Sequence, residues 1–391
     1  MGSYDEKYVC AKCIKDDALG RIITSNACSK KCTYCGRQSQ KPIAADLDIV
    51  NEHIAECITR EYIDPAEELP WDGREGGYQG GTVYDSWELL EEVELFIENE
   101  ELQEDIIYSF DQDIWCKRDG QILSPSQRKV YGWQDFKRAV KHKRRYTFWS
   151  MGDEHEEEWH PDYWPVGKTL DEIAASIRET GLIKQIQTGT TIWRVRIHKE
   201  KDKLIKDYDF TAPPVKTATR SNRMSPAGIP MFYGAEDFDT ACQETVDSKK
   251  MNGKLITGGC FRTVTPLYIL DLVDMPKVPS FFNKEAADIS NELIFLRKFA
   301  RDLSEPIQRD GREHIEYIPT QAFTEYVRWE MKTDGQSIDG ICYRSSKNGK
   351  SCYVLFCEQD ECVNEPKSSV ERRWLKFDIS SLTSKCSLDK K

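Results

Sequence analysis

Residues 220–244, "RSNRMSPAGIPMFYGAEDFDTACQE", decide the fold prediction for the C-terminal part of this chain. Within them "SPAG" is a run of turn residues, "IPMFYGA" is a short apolar strand, and Asp237 is placed to cap the helix that follows. This order puts Tyr233 near the end of the strand and Glu244 about two turns into the helix. We therefore expect Arg223, Tyr233 and Glu244 to converge on one ligand.

Strand-like runs surround this stretch on both sides. The run "TTIWRVRIH" alternates, so that Arg194 and Arg196 share one face and Trp193 lies on the other. Later runs are "LITGGCFRTVTPLYILDL", "IDGICYR" and "SCYVLFCE", and Ser345 falls in the turn between the last two. Short helical patterns lie between these runs without a regular βαβ repeat. The pattern predicts an α+β domain rather than a doubly wound parallel sheet.

The composition is typical of an ordered, soluble protein with two or three domains. Of the 391 residues 39% are apolar and 31% are charged. No apolar run approaches the roughly 18 to 20 residues that span a bilayer. The start, "MGSYDEKYVC", lacks the apolar core of a signal peptide, so we expect a cytoplasmic protein without a membrane partner. A net charge of −12 argues against general nucleic-acid binding, which needs a positive surface.

The fourteen cysteines are expected to be reduced, because the chain shows no export signal, and a cluster of them then points to a metal. Two pairs, "CAKC" and "CTYC", are separated by eighteen residues. Such pairs close tetrahedrally around one zinc ion, and Gly36 permits a turn that points backbone amides at the thiolates. We expect a structural Zn²⁺ without an open coordination position, and Cys28 is either a substitute ligand or a bystander. The expected ligands are Cys10, Cys13, Cys32 and Cys35.

From about residue 46 to residue 149 the pattern becomes helical. Twelve carboxylates and no Lys or Arg lie between Asp85 and Asp113, as on a solvated helix face. The run "FKRAVKHKRRYTFW" has the opposite charge. It is interpreted as a solvated helix face, with a surface for a partner or for cofactor phosphates as the alternative.

This helical region resembles the HEPN-type domain that precedes the catalytic domain of some bacterial toxin and defence proteins. Catalytic HEPN nucleases carry an Arg and a His at a wider spacing than Arg138 and His142, which have three residues between them. This departure from the catalytic spacing favours a scaffolding or dimerising role over nuclease activity. A nucleic-acid-binding or nuclease module is the alternative.

The segment 152–167 is rich in charge, Pro and Gly, as a linker is. After it, Thr169 and Glu172 predict a capping box for a helix that Gly181 ends. We expect three domains: a zinc ribbon over 1–45, a HEPN-like helical domain over 46–165, and a catalytic domain with a C-terminal extension over 166–391.

The runs "WRVR", "NRMSPAGIPMFYGAEDFDTACQE" and "DGICYRSS" resemble, in order, the three blocks of the RES domain, named for its Arg, Glu and Ser. The resemblance covers roughly residues 186–358, and the middle block is specific, with Glu244 eleven residues after Tyr233. It implies a fold like that of ADP-ribosyltransferases. Known members consume NAD⁺ as toxins or defence effectors, splitting the bond between nicotinamide and ribose by hydrolysis or phosphorolysis.

The resemblance implies a catalytic carboxylate and a phosphate-binding arginine. Glu244 is the carboxylate that stabilises the oxocarbenium character of the ribose in the transition state. A guanidinium binds paired phosphate oxygens and stays charged, which suits Arg194 or Arg223 to the pyrophosphate. Arg194, directly after Trp193, matches the first block better than its neighbour Arg196, which stays an alternative.

Three further residues are expected at the same ligand. Tyr233 offers a flat face to nicotinamide or ribose and a hydroxyl that orients it. Ser345, with the adjacent Ser346 as an alternative, bonds to the NAD⁺ or holds the Glu244 carboxylate in place. Gln321 is expected near the ligand because the insertion "EHIEYIPTQAFTEYVRW" is expected to wall the pocket.

The sequence leaves the acceptor open between water, phosphate and a macromolecule, so ADP-ribosyl transfer to a macromolecule is the alternative activity. An enzyme that consumes cytoplasmic NAD⁺ needs restraint, which implies a neutralising or activating partner. The N-terminal module is expected to mediate self-association as a homodimer or higher oligomer.

Overall fold

The computed structural model describes residues 6–120, 122–151, 165–199, 202, 204, 206–246, 254–307, 311–366 and 372–385. Its residues cluster into two compact units, the first formed by Met1–Ser124 with Val278–Asn291 and the second by Pro125–Lys277 with Glu292–Lys391. The three predicted domain ranges stay a prediction. Most of the predicted linker, residues 152–164, lies outside the described residues.

The first unit combines short helices with two- and three-stranded sheets. In chain order it contains β1 (Tyr8–Cys10), α1 (Asp17–Ser25), β2 (Ala44–Asp46), α2 (Leu47–Glu61), β3 (Tyr62–Ile63), α3 (Pro65–Glu68), β4 (Trp71–Asp72), β5 (Gly77–Tyr78), β6 (Val83–Asp85), α4 (Ser86–Glu92), α5 (Glu100–Tyr108) and β7 (Ile114–Lys117). Each of these helices begins after an Asp or Asn whose side chain accepts a backbone N–H bond from the first turn. Local capping therefore fixes where the helices of this unit start.

The later segment Val278–Asn291 belongs to the first unit through Phe282. The Phe282 ring is 1% exposed and packs in the same apolar core as Cys57 and Ile58. Its carbonyl lies 2.9 Å from Nε2 of His53. A stretch far along the sequence thus completes the core of the N-terminal unit.

The second unit is built on an eight-stranded, mainly antiparallel sheet of strand order β17-β11-β9-β10-β16-β15-β12-β8. In chain order its elements are α6 (Pro125–His142), α7 (Thr169–Glu179), β8 (Ile183–Ile186), β9 (Thr191–Lys199), β10 (Phe232–Ala235), α8 (Phe238–Thr245), β11 (Lys254–Thr263), β12 (Leu267–Asp271), α9 (Ala287–Ser304), α10 (Glu313–Glu316), α11 (Ile318–Trp329), β13 (Lys332–Thr333), β14 (Gln336–Ser337), β15 (Gly340–Arg344), β16 (Ser351–Leu355) and β17 (Leu375–Lys385). Helix α9 begins in the first unit and continues into the second. The predicted α+β class is confirmed.

The two faces of the large sheet are covered differently. One face carries the main core, in which Phe232 and Phe261 are fully buried beneath the helices. The other face carries a small cluster under α8 that includes Val195, Ala235 and Cys242. The alternation predicted for "TTIWRVRIH" is confirmed, since Val195 contributes to the small cluster while Ile192 lies in the main core.

The basic run that begins in α6 is exposed at Arg138 and over residues 142–145, as predicted for a solvated face, but its apolar residues and two of its lysines are engaged within the protein. Trp133, Phe136 and Val140 of this helix are buried in the main core of the second unit. Lys137 forms an ion pair of 2.6 Å with Asp302, and Lys141 one of 2.6 Å with Glu316. These two lysines are therefore already neutralised within the protein.

The helix after the linker starts differently from the prediction. Lys168 precedes the first turn of α7 without a side-chain cap, and the Thr169 hydroxyl donates to the Pro165 carbonyl at 3.5 Å, so the capping box is wrong. Gly181 follows the helix at φ +66°, as predicted for a helix stop. Among the described residues, no helix is long and apolar enough to cross a membrane.

Candidate active site and metal centre

The four predicted metal ligands meet in the first unit. The Sγ atoms of Cys10, Cys13, Cys32 and Cys35 lie within 4.8 Å of one another. Three of the sulfur pairs are 3.6, 3.6 and 3.8 Å apart. Tetrahedral Zn–S bonds of about 2.3 Å place sulfurs about 3.8 Å apart, so the cluster fits a metal such as zinc.

The turns around the thiols have the geometry that the sequence predicts. Gly36 adopts φ +66°, and the backbone N–H of Arg37 bonds to the Cys35 sulfur, which lowers the pKa of that thiol to about 7. Cys28 instead lies 3.9 Å from the Ala44 carbonyl and outside the cluster. Of the two predicted roles for Cys28, the structure agrees with that of a bystander to the metal cluster.

The candidate active site of the second unit opens where β9 and β10 separate. These strands share a single described residue pair, Ala235 opposite Trp193. A cleft of about 590 Å³ lies beside this pair and is lined by both strands, by α8 and by the turns before β10. The quoted stretch forms this wall as predicted, with β10 ending at Ala235 and Asp237 capping α8 through the Thr240 N–H.

Glu244 is held by the turn between β15 and β16. The Ser345 hydroxyl donates to Glu244 Oε1 at 2.5 Å. One helical turn before Glu244, the Thr240 hydroxyl accepts a hydrogen bond from Asn348 Nδ2 at 2.9 Å. Lys350 pairs with Asp237 at 2.6 Å. These three contacts fix α8, and with it the Glu244 carboxylate, against the turn.

Ser345 and Ser346 occupy different environments in this turn. Ser345 is 3% exposed, and its hydroxyl also accepts the Lys347 N–H at 3.1 Å. Ser346 is exposed and lines the cleft. The geometry thus favours Ser345 as the residue that orients the Glu244 carboxylate, whereas Ser346 only lines the cleft.

Arg194 is a buried cation. Its side chain is inserted above the Phe232 ring, 4.9 Å from the ring centroid, and Nη1 donates to the Tyr233 carbonyl at 2.5 Å. Its Nε has no hydrogen-bond partner among the described residues. Burial, followed by the charge of the neighbouring Arg196, lowers the pKa of Arg194 well below its usual range. An anion in the cleft would stabilise this guanidinium.

Arg196 is already engaged by the backbone. Its Nε and Nη2 donate to the carbonyls of Asp209 and Thr211 at 3.2 and 2.6 Å. Burial lowers its pKa as well. Of the two strand arginines, Arg194 therefore has more hydrogen-bonding capacity left for a ligand.

Arg223 is among the described residues that line the cleft, whereas Gln321 is not. Nη1 of Arg223 donates to the Leu303 carbonyl at 2.5 Å. Because Arg223 lines the cleft, its other N–H donors remain available to a ligand there. Gln321 Nε2 donates to the Asn222 carbonyl at 2.8 Å. Gln321 thus supports the loop that carries Arg223, whereas Tyr317 from the same insertion lines the cleft itself.

Tyr233 lines the cleft with its hydroxyl already bonded. The Tyr233 and Ser225 hydroxyls lie 2.9 Å apart. Burial raises the pKa of Tyr233 to about 12, so the phenol stays protonated. This environment suits a ring surface for a ligand better than an acid or base.

Charges in the cleft are strongly unequal. Among the described residues that line it, five are arginines and Glu244 is the one carboxylate. No ion pair joins Glu244 to an arginine within the described part of the chain. The cleft therefore attracts an anion while it keeps one carboxylate free for a developing positive charge. The arginines are Arg194, Arg196, Arg220, Arg223 and Arg344.

The sequence interpretation missed Tyr343 and Arg344, among other residues of this cleft. Tyr343 and Arg344 line it and directly precede Ser345. Burial raises the pKa of Tyr343 well above its usual value, and the charge of Glu244 adds to the effect. Their position in "DGICYRSS", two residues and one residue before Ser345, is the sequence feature that could have identified them.

Two family models match this chain. The HEPN/RES N-terminal domain 1 matches residues 25–154, and the RES domain matches residues 191–378. The latter range contains both β9 and the turn that holds Glu244. No curated protein matches the chain, and no solved structure does either.

Proposed function

Because the chain carries a HEPN/RES N-terminal domain and a RES domain, a module of NAD-related toxins, we propose that it is an enzyme that cleaves the nicotinamide–ribose bond of NAD⁺. The observation that carries the proposal is the Glu244 carboxylate, fixed by Ser345 at 2.5 Å in a cleft otherwise charged by arginines. NAD⁺ supplies the matching pattern, a pyrophosphate anion beside a ribose that becomes positive as the bond breaks.

Bond cleavage in this proposal is dissociative. The C–N bond between ribose and nicotinamide breaks, its electron pair leaves with the neutral base, and the ribose gains oxocarbenium character. A carboxylate beside the ring stabilises this positive charge only as it develops in the transition state. The interaction therefore speeds the reaction rather than tightening substrate binding. The acceptor then bonds to the same carbon. Water yields ADP-ribose and releases one proton, and phosphate yields ADP-ribose 1-phosphate.

The arginines bind the dinucleotide. Arg194 and Arg223 are the proposed pyrophosphate ligands, because each has guanidinium donors left after its single bond to a backbone carbonyl. Tyr233 supplies a flat face for nicotinamide or ribose. Ser345 is proposed as a positioning residue, since its hydroxyl is committed to Glu244.

Product identity tests the proposal. Purified protein is incubated with NAD⁺, with and without phosphate, and the products are analysed by mass spectrometry. Release of nicotinamide with either ADP-ribose or ADP-ribose 1-phosphate supports the proposal and names the acceptor. Mass added to a protein instead would identify ADP-ribosyl transfer. NAD⁺ left intact under every condition, while the cleft binds ADP-ribose, would contradict cleavage.

We assign the N-terminal unit a supporting role. The cysteine cluster holds a structural Zn²⁺ in this proposal, which supplies folding energy and no chemistry. In α6, which belongs to the second unit, Arg138 pairs with Asp135 at 3.1 Å and Lys137 and Lys141 are paired as well, so no nuclease function is proposed. Self-association and a neutralising or activating partner belong to the proposal, with the enzyme acting on cytoplasmic NAD⁺ as a toxin or defence effector.

A further inference from the structure

A second pocket adjoins the cleft. It measures about 470 Å³ and shares Ser304, Arg344 and Ser346 with the cleft. Ser345, whose hydroxyl holds Glu244, also lines it. The turn between β15 and β16 is therefore a wall common to both cavities, and one ligand of sufficient length can occupy the two.

The second pocket has an apolar floor and a cationic rim. Leu272, Met275 and Pro306 are among the apolar residues that line it. Three arginines and one acid supply the charged groups of its described lining: Arg297, Arg301, Arg344 and Glu305. The C-terminal carbonyls of α9 carry partial negative charge, which disfavours an anion in this pocket. One of them, the Leu303 carbonyl, accepts a hydrogen bond from Arg223 at 2.5 Å, which offsets that effect. The rim stays net positive.

The arginines of the rim retain donors for a ligand. Arg344 gives Nη1 and Nη2 to the carbonyls of Gly349 and Val273 at 3.0 and 2.8 Å, which fixes its guanidinium in place. Arg297 gives Nη2 to the Pro276 carbonyl at 2.7 Å. Arg301 is exposed, and it makes no hydrogen bond or ion pair with the described part of the chain. A flat apolar group with an attached anion matches this lining.

We propose that the second pocket binds the adenosine half of the dinucleotide and that its arginines bind a phosphate on the adenosine ribose, so that NADP⁺ is a preferred substrate. The inference rests on the proposed function, since it extends the same bound molecule from the cleft. In this binding mode nicotinamide riboside lies beside Glu244 and the pyrophosphate lies at Arg223, so the adenosine enters the second pocket past Ser304, which lines both cavities. Arginine beside the adenosine ribose is the usual means of accepting a 2′-phosphate.

Binding of two uncleavable ligands tests the pocket without catalysis. Adenosine 2′,5′-bisphosphate and AMP are titrated calorimetrically into the parent protein and into Arg301→Ala. A charge-assisted bond at a partly exposed site predicts an affinity about tenfold higher for the bisphosphate, and Arg301→Ala removes most of that preference. Lys298→Ala is the matched control, since Lys298 is an exposed cation on the same helix that shares a small neighbouring cavity with Arg301 but is not among the described residues that line the second pocket. It keeps the preference.

Two results would overturn the pocket assignment. One is equal affinity of the parent for the two ligands. The other is a preference that survives in Arg301→Ala and in the Arg297→Ala, Arg301→Ala double variant. Melting temperatures equal to that of the parent verify that the variants are folded.

Cleavage assays separate this inference from the proposed function. Rates are compared for NADP⁺, NAD⁺ and nicotinamide mononucleotide, which lacks adenosine. We expect Arg301→Ala to lower kcat/KM about tenfold for NADP⁺, much less for NAD⁺ and not at all for the mononucleotide. If NAD⁺ is cleaved and Arg301 is indifferent to the 2′-phosphate, the pocket assignment fails alone. If the bisphosphate preference holds and no dinucleotide is cleaved, the proposed function fails and the pocket assignment stands.

Discussion

The cysteine cluster of the first unit and the arginine cleft of the second are both assemblies of like groups. Four thiols approach to within 4.8 Å of one another, and five arginines line one cleft with a single carboxylate in the described lining. Each arrangement favours an occupant of opposite charge. They differ in closure, because four thiolates complete a tetrahedral shell whereas the cleft offers about 590 Å³ and a free carboxylate. The first cluster therefore suits a permanent ion and the second a molecule that enters, reacts and leaves.

The lysines of α6 provide the contrast for both clusters. Lys129 donates to both carboxylate oxygens of Glu292 at 2.5 Å, and the two side chains are 12% and 11% exposed. A cation with a carboxylate partner stabilises the fold, whereas Arg194 has a carbonyl and an aromatic ring as its partners. The distinction predicts which substitutions change stability and which change ligand binding.

The largest effect is expected at the metal centre. Cys32→Ser removes one ligand, and structural zinc contributes roughly 10 kcal/mol or more to folding in small zinc domains. We expect zinc content to fall from about one per chain to nearly none, with loss of the first unit's thermal transition. Metal analysis and calorimetry measure both. Cys28→Ser, outside the cluster, is the control and keeps its zinc. Full zinc in Cys32→Ser would exclude this ligand set.

The next largest effect is expected at the buried ion pair. Lys129→Met leaves the Glu292 carboxylate buried without its partner, which costs about 3 kcal/mol in the free energy of unfolding. Chemical denaturation measures this loss, and KM for NAD⁺ should not change. Arg138→Met is the control on the same helix, because its exposed pair with Asp135 is worth well under about 1 kcal/mol. Equal losses in the two variants would remove the contrast between buried and exposed cations.

The next effect, smaller than that at the buried ion pair, distinguishes Arg194 from Arg196. Arg194→Met removes a pyrophosphate ligand and should raise KM for NAD⁺ about 30-fold, or about 2 kcal/mol. Stability should change little, because the lost bond to the Tyr233 carbonyl is offset by the removal of a buried charge that has no carboxylate partner in the described part of the chain. Arg196→Met should show the reverse pattern, since it breaks bonds to the Asp209 and Thr211 carbonyls. Steady-state kinetics with denaturation curves decide the assignment, and the opposite result would exchange the two roles.

The smallest effect is expected at Tyr233. Tyr233→Phe loses the bond to Ser225, at a cost of about 1 kcal/mol of stability, and should change kcat by less than about threefold. The reason is that a phenol with a pKa raised to about 12 is a poor proton donor near neutral pH. Tyr233→Ala, which also removes the ring surface, should raise KM more. A large fall of kcat in Tyr233→Phe would show that the hydroxyl takes part in the chemistry.

Local sequence signals predicted much of the candidate site. The residue types from Ser225 to Asp237 predicted the turn, the strand and the helix cap. They could do so because Pro and Gly act through local backbone geometry and the Asp side chain bonds to a nearby backbone N–H. The spacing of the two cysteine pairs located the cluster for a similar reason. Interactions between distant segments were not visible. The partners of Lys129 and Lys137 lie more than 160 residues away, and Phe282 joins the first unit from inside the C-terminal part of the chain.

Nicotinamide release by Glu244→Gln tests the catalytic assignment most directly. The amide oxygen still accepts the Ser345 hydroxyl, so the fold and the binding of ADP-ribose should persist while the negative charge is lost. We expect kcat for NAD⁺ to fall by about a thousandfold. Asp239→Asn, an exposed carboxylate on the same helix paired with Lys385, should retain the parental rate within about twofold. A parental rate in folded Glu244→Gln would contradict the assignment of Glu244 as the catalytic carboxylate.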